Sequence, residues 1–363
     1  MRNLPVIILL APLAAMILAA GCASAPEKPG FTVRDLGPIK SDPLIRSRDG
    51  GYSGLWRGKS YWFFGDTITS RPAANGFCWL SNSGFGIDPK SDLSRVHGAE
   101  YAAGEPVPTE FFPFLPEEAA YNQLHFNDRV PEKQRSRYAI WPGPLVAAPD
   151  DSYALVFFSL MKCGSANEWD FKGIGRSVAV WRDPALKPER IPMLFPPGGI
   201  ELGDAGLALD GYLYLYGCDN RFPNKPIQLG RVKFADALDR AKWEFYAGCG
   251  KWSRDAAKAV KLFDGAPMLS VHFNRYLGKY LAIYTVPLAN QLVYRTADRP
   301  EGPWSEPVKL ADCLPNTGAC GAYSGLGHGE FARDGGRIEL VTYYRDTGFL
   351  QGEVRLLEVT FAP

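Results

Sequence analysis

Acidic residues stand where several predicted strands begin or end, and they are the first candidates for chemistry. Asp49 precedes a Gly-Gly pair, Asp66 follows a run of large aromatic residues, and Asp204 lies between small residues that leave room for a ligand. Cleavage of a glycosidic bond needs a carboxylic acid to protonate the leaving oxygen and a carboxylate to act as base or nucleophile. Asp49, Asp66 and Asp204 are therefore the predicted catalytic set, with their individual roles unassigned.

Each of these carboxylates also has a simpler interpretation. Asp49 before Gly50 could be no more than a turn-forming residue, and Asp66 before Thr67 could be one that caps a turn through its side chain. The stretch Tyr61–Gly65 ahead of Asp66 predicts burial, and burial without a partner is costly for a carboxylate. This cost favours a functional Asp66 over a turn former.

Substrate contacts are expected from aromatic and polar residues at the same strand ends. Trp141 and Tyr323 could stack on a sugar ring, although an aromatic residue in a strand more often packs in the core. His328, in a Gly-His-Gly-Glu sequence, is a better ligand-binding candidate than His272, which lies in an alternating strand and is typical of a core histidine. The predicted substrate-binding residues are Trp141, Glu201, Tyr323, His328 and Glu330.

Motifs and charge exclude several other classes of protein. The sequence has no His-Glu-x-x-His, no Cys-x-x-Cys, no Walker loop and no Gly-x-Ser-x-Gly, which argues against metalloprotease, redox, nucleotide-binding and serine-hydrolase functions. The 40 Lys and Arg balance 39 Asp and Glu, so no basic surface for nucleic acid is expected. We expect a neutral, sugar-like ligand, no metal and no cofactor.

One pattern recurs along the chain and predicts an all-β fold. A strand, a tight turn and a second strand rich in Tyr, Phe, Leu and Val form five predicted hairpins, each followed by a third short strand. Units of three or more strands, separated by roughly 60 to 90 residues, are typical of a β-propeller with five blades. The hairpins are Gly51–Asp66, Gly143–Ser159, Asp204–Asp219, Met268–Val286 and Gly329–Asp346. The third strands are Phe77–Trp79, Ser177–Trp181, Ile227–Phe234, Gln291–Thr296 and Glu353–Phe361.

Two further parts of the chain complete the predicted propeller: the segment before the first hairpin, and the long interval between the first two hairpins. Phe31–Leu36 has strand character and is expected to form the outer strand of the last blade, which closes the ring. Residues 85–136 are rich in Pro, Phe and charge, and we expect a loop across one face that walls the pocket. The helical candidates 235–240 and 254–260 are short.

The first 30 residues predict export and lipid anchoring. Arg2 is followed by an apolar run, and small residues come before Cys22, as in a lipoprotein signal peptide. The run holds Pro5 and Pro12 and is short for a membrane-spanning helix. The predicted organisation is a signal peptide at 1–21, a tether at 22–30 with lipid on Cys22, and a propeller at 31–363. The residue after the cysteine is Ala23 and not the Asp that commonly holds lipoproteins at the inner membrane. We therefore expect the protein at the outer membrane, on its periplasmic or surface face.

Six further cysteines would then lie in a compartment that permits disulfides. They are Cys78, Cys163, Cys218, Cys249, Cys313 and Cys320. Cys313 and Cys320 are the easiest pair to connect, and the other pairings stay open.

Three segments together resemble a known family. Asp49–Ser53, Tyr61–Thr67 and Tyr294–Trp304 resemble the endo-D-arabinanases of glycoside hydrolase family 183. The resemblance spans roughly Phe31 to Pro363 and implies a five-bladed propeller that cleaves α-linked D-arabinofuranose chains with acidic residues at the funnel. It gives Asp49 and Asp66 the strongest claim to catalysis.

The sequence therefore predicts a monomeric glycosidase acting on a furanosidic polysaccharide, with D-arabinan first. The alternative is a carbohydrate-binding or cell-surface propeller without catalysis, in which the same aromatic residues bind sugar and the acids only accept hydrogen bonds from hydroxyls.

Overall fold

The computed structural model describes residues 30–93, 108–167, 170–219, 223–317, 321–348 and 350–363. The predicted signal peptide, Cys22 and Cys320 lie outside the described residues. Within the described ranges no helix is long and apolar enough to cross a membrane.

Tight turns explain why the predicted hairpins form. Trp56 pairs with Lys59 across Arg57-Gly58, and Leu209 pairs with Tyr212 across Asp210-Gly211. All four turn residues have positive φ, between 47° and 76°. Two-residue turns of this kind match the twist of the flanking strands, and glycine adopts the second position without strain.

Within the described ranges, the regular structure consists of 22 strands and one α-helix. The strands are β1 (Phe31–Pro38), β2 (Ile45–Trp56), β3 (Lys59–Thr69), β4 (Trp79–Leu80), β5 (Ser83–Ile87), β6 (Ser136–Ala147), β7 (Ala154–Gly164), β8 (Phe171–Trp181), β9 (Glu189–Arg190), β10 (Ala205–Leu209), β11 (Tyr212–Cys218), β12 (Pro226–Lys233), β13 (Glu244–Tyr246), β14 (Trp252–Ser253), β15 (Phe263–Asp264), β16 (Leu269–Asn274), β17 (Lys279–Val286), β18 (Gln291–Ala297), β19 (Val308–Asp312), β20 (Tyr323–Gly327), β21 (Ile338–Gly348) and β22 (Gln351–Phe361). Helix α1 spans Pro116–His125, and short 3-10 turns lie at Glu132–Gln134, Phe234–Asp236, Arg240–Lys242, Ala256–Lys258, Gly329–Phe331 and Asp334–Gly336.

These strands form five antiparallel sheets arranged as the blades of a β-propeller, which confirms the predicted fold. The sheets are β2-β3-β4 with β5 on β3, β6-β7-β8-β9, β10-β11-β12-β13-β14 with β15 on β12, β16-β17-β18-β19, and β20-β21-β22-β1. The innermost strands β2, β6, β10, β16 and β20 neighbour one another around a central channel.

The ring closes through its first strand, as predicted. β1 pairs with β22 from Phe31 opposite Phe361 to Pro38 opposite Arg355. The Phe31 ring packs edge-on against Phe361 and Tyr294, with centroids 6.4 and 6.0 Å apart. The closure covers the β22 edge, which an open sheet would expose.

The fifth predicted hairpin is wrong in its first strand. The innermost strand of that blade is β20, Tyr323–Gly327, and the predicted strand from Gly329 forms 3-10 turns instead. A Cβ on Gly325 would lie 2.4 Å from the backbone nitrogen of Thr285. The close approach of β17 therefore requires glycine here, and the strand lacks the alternating apolar side chains that mark the other four.

The interval between the first two blades differs from a simple loop. Phe111 and Phe112 are fully buried, and the Phe111 ring lies 4.7 Å from Phe63 and 4.9 Å from Trp181 between these blades. Helix α1 follows and begins with Pro116, where the missing N–H costs nothing. Only part of 85–136 is thus available to wall a pocket.

The described cysteines form no disulfide. No two of Cys78, Cys163, Cys218, Cys249 and Cys313 are bonded to each other. The predicted pair of Cys313 with Cys320 stays a prediction, because Cys320 lies outside the described residues; Cys313 itself is buried.

Candidate active site

Most of the predicted acidic residues gather at one end of the channel. Because the blades are antiparallel sheets, the beginning of each innermost strand and the end of the second strand lie at the same end. Asp49 in β2, Asp66 near the end of β3 and Asp204 just before β10 all lie there. We call this end the carboxylate face and the other end the opposite face.

Asp49 is positioned by two local features. Gly50 and Gly51 have φ of 84° and 109°, and the register of β2 shifts on either side of Gly50. A bulge of this kind re-aims the side chain next to it. The carboxylate packs on Gly65, where an added Cβ would lie 2.3 Å from Asp49 Oδ1, and Oδ2 accepts a 2.8 Å hydrogen bond from the Tyr323 hydroxyl.

The environment of Asp49 favours its protonated form. Burial first, and then the charge of nearby Asp66, raises the pKa of Asp49 to about 7, although the Tyr323 hydrogen bond opposes the rise. Asp346 on β21 adds a smaller effect of the same sign as Asp66. A carboxyl group with a pKa near neutrality can donate a proton under physiological conditions.

Asp66 is held in a different environment. Its Oδ1 accepts a 2.8 Å hydrogen bond from the guanidinium of Arg137, at the beginning of β6. The Arg137 side chain is 8% exposed and lies over the Trp79 ring at 4.6 Å, whereas the Asp66 side chain is 24% exposed. Asp66 is thus paired with a cation and is still open to solvent and ligands.

Glu110 is a further carboxylic acid near this pair. Its Oε1 accepts hydrogen bonds from the backbone N–H and hydroxyl of Ser81 at 3.2 and 3.4 Å. Burial raises the pKa of Glu110 to about 7, while Arg137 is near enough to oppose the rise.

Asp204 lies on the same face but is not available for chemistry, contrary to the catalytic role predicted for it. The side chain is 1% exposed, Oδ1 is paired with Arg176 at 2.5 Å, and Oδ2 accepts a hydrogen bond from the Cys218 N–H at 2.7 Å. Burial raises the pKa of Asp204 to about 6, against the effect of Arg176. The residue holds Arg176 in place and has no oxygen left for a substrate.

Three predicted binding residues also lie on the carboxylate face. Glu201 is half-buried, and its carboxylate is 3.9 Å from Arg176. Trp141 is half-buried, and its ring meets that of exposed Phe171 edge-on at 5.4 Å. Tyr323 orients Asp49 through its hydroxyl and packs on Tyr344 at 4.8 Å, so it supports the acid instead of offering a flat surface for stacking.

The last two predicted binding residues are at the opposite face. His328 and Glu330 follow the end of β20. His328 is completely buried, and its ring stacks on Trp62 at 4.2 Å. Burial and nearby His272 lower the pKa of His328 to about 3, so it is a neutral core residue. His272, predicted to be the core histidine, instead lines an open cavity.

Sequence reasoning missed the arginines and Glu110. Arg137 stands at the beginning of an innermost strand, the same position that singled out the acids, so a search for cationic as well as acidic residues there would have found it. Arg176 lies on the third strand of its blade, and Glu110 lies in a segment without strand periodicity. Neither has a local signal that could have found it.

No group of three or more His, Cys, Asp or Glu side chains in the described ranges is arranged to hold a metal ion. The candidate groups for chemistry on the carboxylate face are Asp49, Asp66 and Glu110, with Arg137 paired to Asp66.

The β-propeller fold is also found in several glycoside hydrolases. The chain shares its fold with a candidate hydrolase from Bacteroides ovatus ATCC 8483, at 16% identity and a TM-score of 0.61 over 92% of this chain and 93% of that one. It also matches the α-L-arabinofuranosidases of Podospora anserina (12% identity, TM-score 0.50, 91% and 97% covered) and Coprinopsis cinerea (11%, 0.51, 92% and 98%), the latter of glycoside hydrolase family 62.

The chain belongs to the family described as a domain of unknown function, DUF4185, which matches residues 45–342. No curated protein matches it in sequence.

Proposed function

We propose that this protein is a glycoside hydrolase that cleaves α-linked arabinofuranosyl polysaccharide, with D-arabinan as the first substrate. The observation that carries the proposal is the contrast between two neighbouring carboxyl groups. Asp49 has a pKa near neutrality, whereas Asp66 is ion-paired with Arg137. Two carboxyl groups with opposed environments are the arrangement that separates an acid from a base or nucleophile.

In this mechanism Asp49 donates its proton to the leaving glycosidic oxygen. The Asp66 carboxylate acts at the anomeric carbon, either directly or by taking a proton from the attacking water. Water supplies the hydroxyl of the new reducing end, and its other proton restores the acid. Arg137 holds Asp66 in place, and Tyr323 fixes the orientation of Asp49.

The substrate class rests on two kinds of support. The segments around Asp49, Asp66 and Trp304 resemble the endo-D-arabinanases of family 183. Two proteins of the same fold are α-L-arabinofuranosidases, which act on a five-membered sugar ring. The resemblance carries the preference for a furanoside over a pyranoside, and the shared fold adds that such a scaffold can serve a furanosidase.

We also propose that the protein is a monomer anchored in the outer membrane by lipid on Cys22, where a polymeric glycan is within reach. Intact-mass measurement of the membrane fraction tests the anchor. The proposal predicts a chain that begins at Cys22 and carries the added mass of a lipid. Cys22→Ser should abolish the cleavage before residue 22 and the added mass. A chain that still begins at Met1 would contradict it.

The activity test compares the wild type with isosteric variants on D-arabinan, plant L-arabinan and xylan. We expect released oligosaccharides from D-arabinan, and a loss of roughly 10²- to 10⁴-fold in kcat for Asp49→Asn and Asp66→Asn. Asp298→Asn removes a carboxylate that is 76% exposed, and it should leave the rate unchanged.

Two results would redirect the proposal. If Glu110→Gln alone abolishes cleavage while Asp49→Asn does not, Glu110 is the acid. If the wild type binds D-arabinan without releasing products, the protein is a carbohydrate-binding propeller.

A further inference from the structure

A cavity lies at the opposite face, and we call it the chamber. It has a volume of about 330 Å³, within the range of small-molecule sites. Part of its wall is aliphatic and includes Leu145, Leu269, Val271 and Leu326, and part is polar. Leu55 and Phe273 line it and are 48% and 49% exposed, which gives the chamber an apolar rim.

Glu330 is the polar centre of this chamber. Its Oε1 accepts hydrogen bonds from the hydroxyls of Ser53 at 2.5 Å and Ser60 at 2.7 Å. The other described hydrogen bonds continue away from the chamber, because Ser53 Oγ also lies 2.7 Å from His328 Nδ1 and His328 Nε2 lies 2.8 Å from Thr342 Oγ1.

This chain of contacts fixes the direction of the protons. Ser53 gives its only proton to Glu330, so neutral His328 must donate from Nδ1 to Ser53 and accept from Thr342 at Nε2. Every hydroxyl in the chain is thus oriented toward the carboxylate. Oε2 of Glu330 has no hydrogen bond from the described residues and can accept from a ligand.

The charge around Glu330 is not neutralised by the protein. None of the residues that line the chamber is Lys or Arg, and no ion pair to Glu330 forms among the described residues. Besides Tyr52, the remaining titratable lining residue is His272, whose Nε2 lies 3.3 Å from Oε1 of buried Glu339. A protonated His272 interacts with both Glu339 and Glu330, and one imidazolium cannot balance two carboxylates.

The chamber is separate from the carboxylate face. Tyr52 lines it, is 5% exposed, and donates its hydroxyl to the carbonyl oxygen of Asp204 at 2.8 Å. The ring of Tyr52 thus stands between the two ends of the channel.

From these features we propose that the opposite face binds a primary amine on a small apolar body. The ammonium group supplies the hydrogen-bond donors and the positive charge that Glu330 lacks, and the aliphatic walls cover the apolar part. A neutral sugar fits less well, since it brings no positive charge to Glu330. This inference does not depend on the proposed glycosidase activity.

The test uses n-butylammonium and its uncharged isostere 1-butanol as probes. Methyl NMR shifts of Leu145, Leu269 and Val271 report on the chamber during each titration. We expect saturable shifts with n-butylammonium and binding weaker by roughly tenfold or more for 1-butanol and for Glu330→Gln, because a charge-assisted hydrogen bond is lost. Asp66→Asn should leave the Kd unchanged.

Leu55→Lys provides a second variant that does not disturb the core. It places a fixed ammonium group at the exposed rim, and it should weaken n-butylammonium binding by competition. Equal affinity for the amine and the alcohol, an unchanged Kd in both folded variants, or binding of free arabinose in place of the amine would each overturn the proposal.

Discussion

The hydroxyl of Tyr323 donates a 2.8 Å hydrogen bond to Oδ2 of Asp49. The two residues come from β20 and β2, the innermost strands of the last and the first blade, which lie side by side in the ring. The hydrogen bond stabilises the charged form of Asp49, so it keeps the pKa of that acid from rising further.

Tyr323→Phe should therefore move the alkaline limb of the activity profile. If Asp49 must be protonated to act, kcat/KM falls as the pH rises through the pKa of Asp49, about 7 in the wild type. Without the hydroxyl the pKa rises and the limb shifts to higher pH. The profile of kcat/KM against pH on D-arabinan checks this, and a limb that stays in place or moves to lower pH would contradict the role given to Tyr323.

Asp49→Asn should stabilise the fold at alkaline pH. The pKa of Asp49 is about 7 in the folded state and near 3.8 when unfolded. The unfolded chain therefore loses this proton first, and the folded state becomes less stable as the pH rises from about 4 to 7. Asparagine resembles the protonated acid and avoids this loss. The Tm difference between variant and wild type should be larger at pH 8 than at pH 4, and an equal difference at both would refute the inference.

Asp204→Ala should damage folding more directly than chemistry. It leaves Arg176, whose side chain is 10% exposed, without its 2.5 Å partner. Breaking one side of a buried ion pair costs about 3 to 5 kcal/mol. The double variant Asp204→Leu with Arg176→Met removes both charges and should recover most of this loss.

Denaturant unfolding of the single and double Asp204 variants measures the loss of stability, and cleavage assays at low temperature measure activity. A stable Asp204→Ala protein that is inactive on D-arabinan would restore the catalytic role that the sequence predicted for Asp204.

Phe361→Ala tests the closure of the ring. Phe361 is 2% exposed and meets Phe31 and Tyr294 edge-on at the junction of β1 and β22. Truncation of a buried phenylalanine costs about 3 to 5 kcal/mol. Leu288→Ala, at a side chain that is 75% exposed, serves as the control and should change the free energy of unfolding by less than about 0.5 kcal/mol. Equal effects of the two changes would mean that the closure contributes little.

The fold could be predicted because its main determinant is local. Alternating apolar residues around Arg57-Gly58 and Asp210-Gly211 mark hairpins whichever blade they belong to. The exception is β20. It packs so tightly against β17 that Gly325 stands where the other strands carry an apolar side chain, and the alternating pattern that predicts a strand is lost.

The site was only partly predictable because its electrostatics are not local. Asp66 and Arg137 are 71 residues apart in the chain, and only the ring brings them to 2.8 Å. The roles of His328 and His272 are also decided by contacts between blades, and they are the reverse of those predicted. His328 lies among glycines, which suggests an open loop, yet the Trp62 ring of the neighbouring blade covers it.

The pairing of β1 with β22 also decides at which end of the channel the propeller begins. Phe31 lies beside Phe361 and at the level of Ile338, which is the opposite face. If lipid is attached to Cys22, as proposed, the anchor is joined to the propeller at that face. The carboxylate face is then the end of the channel farther from the attachment point, where a long glycan can enter without passing the anchor.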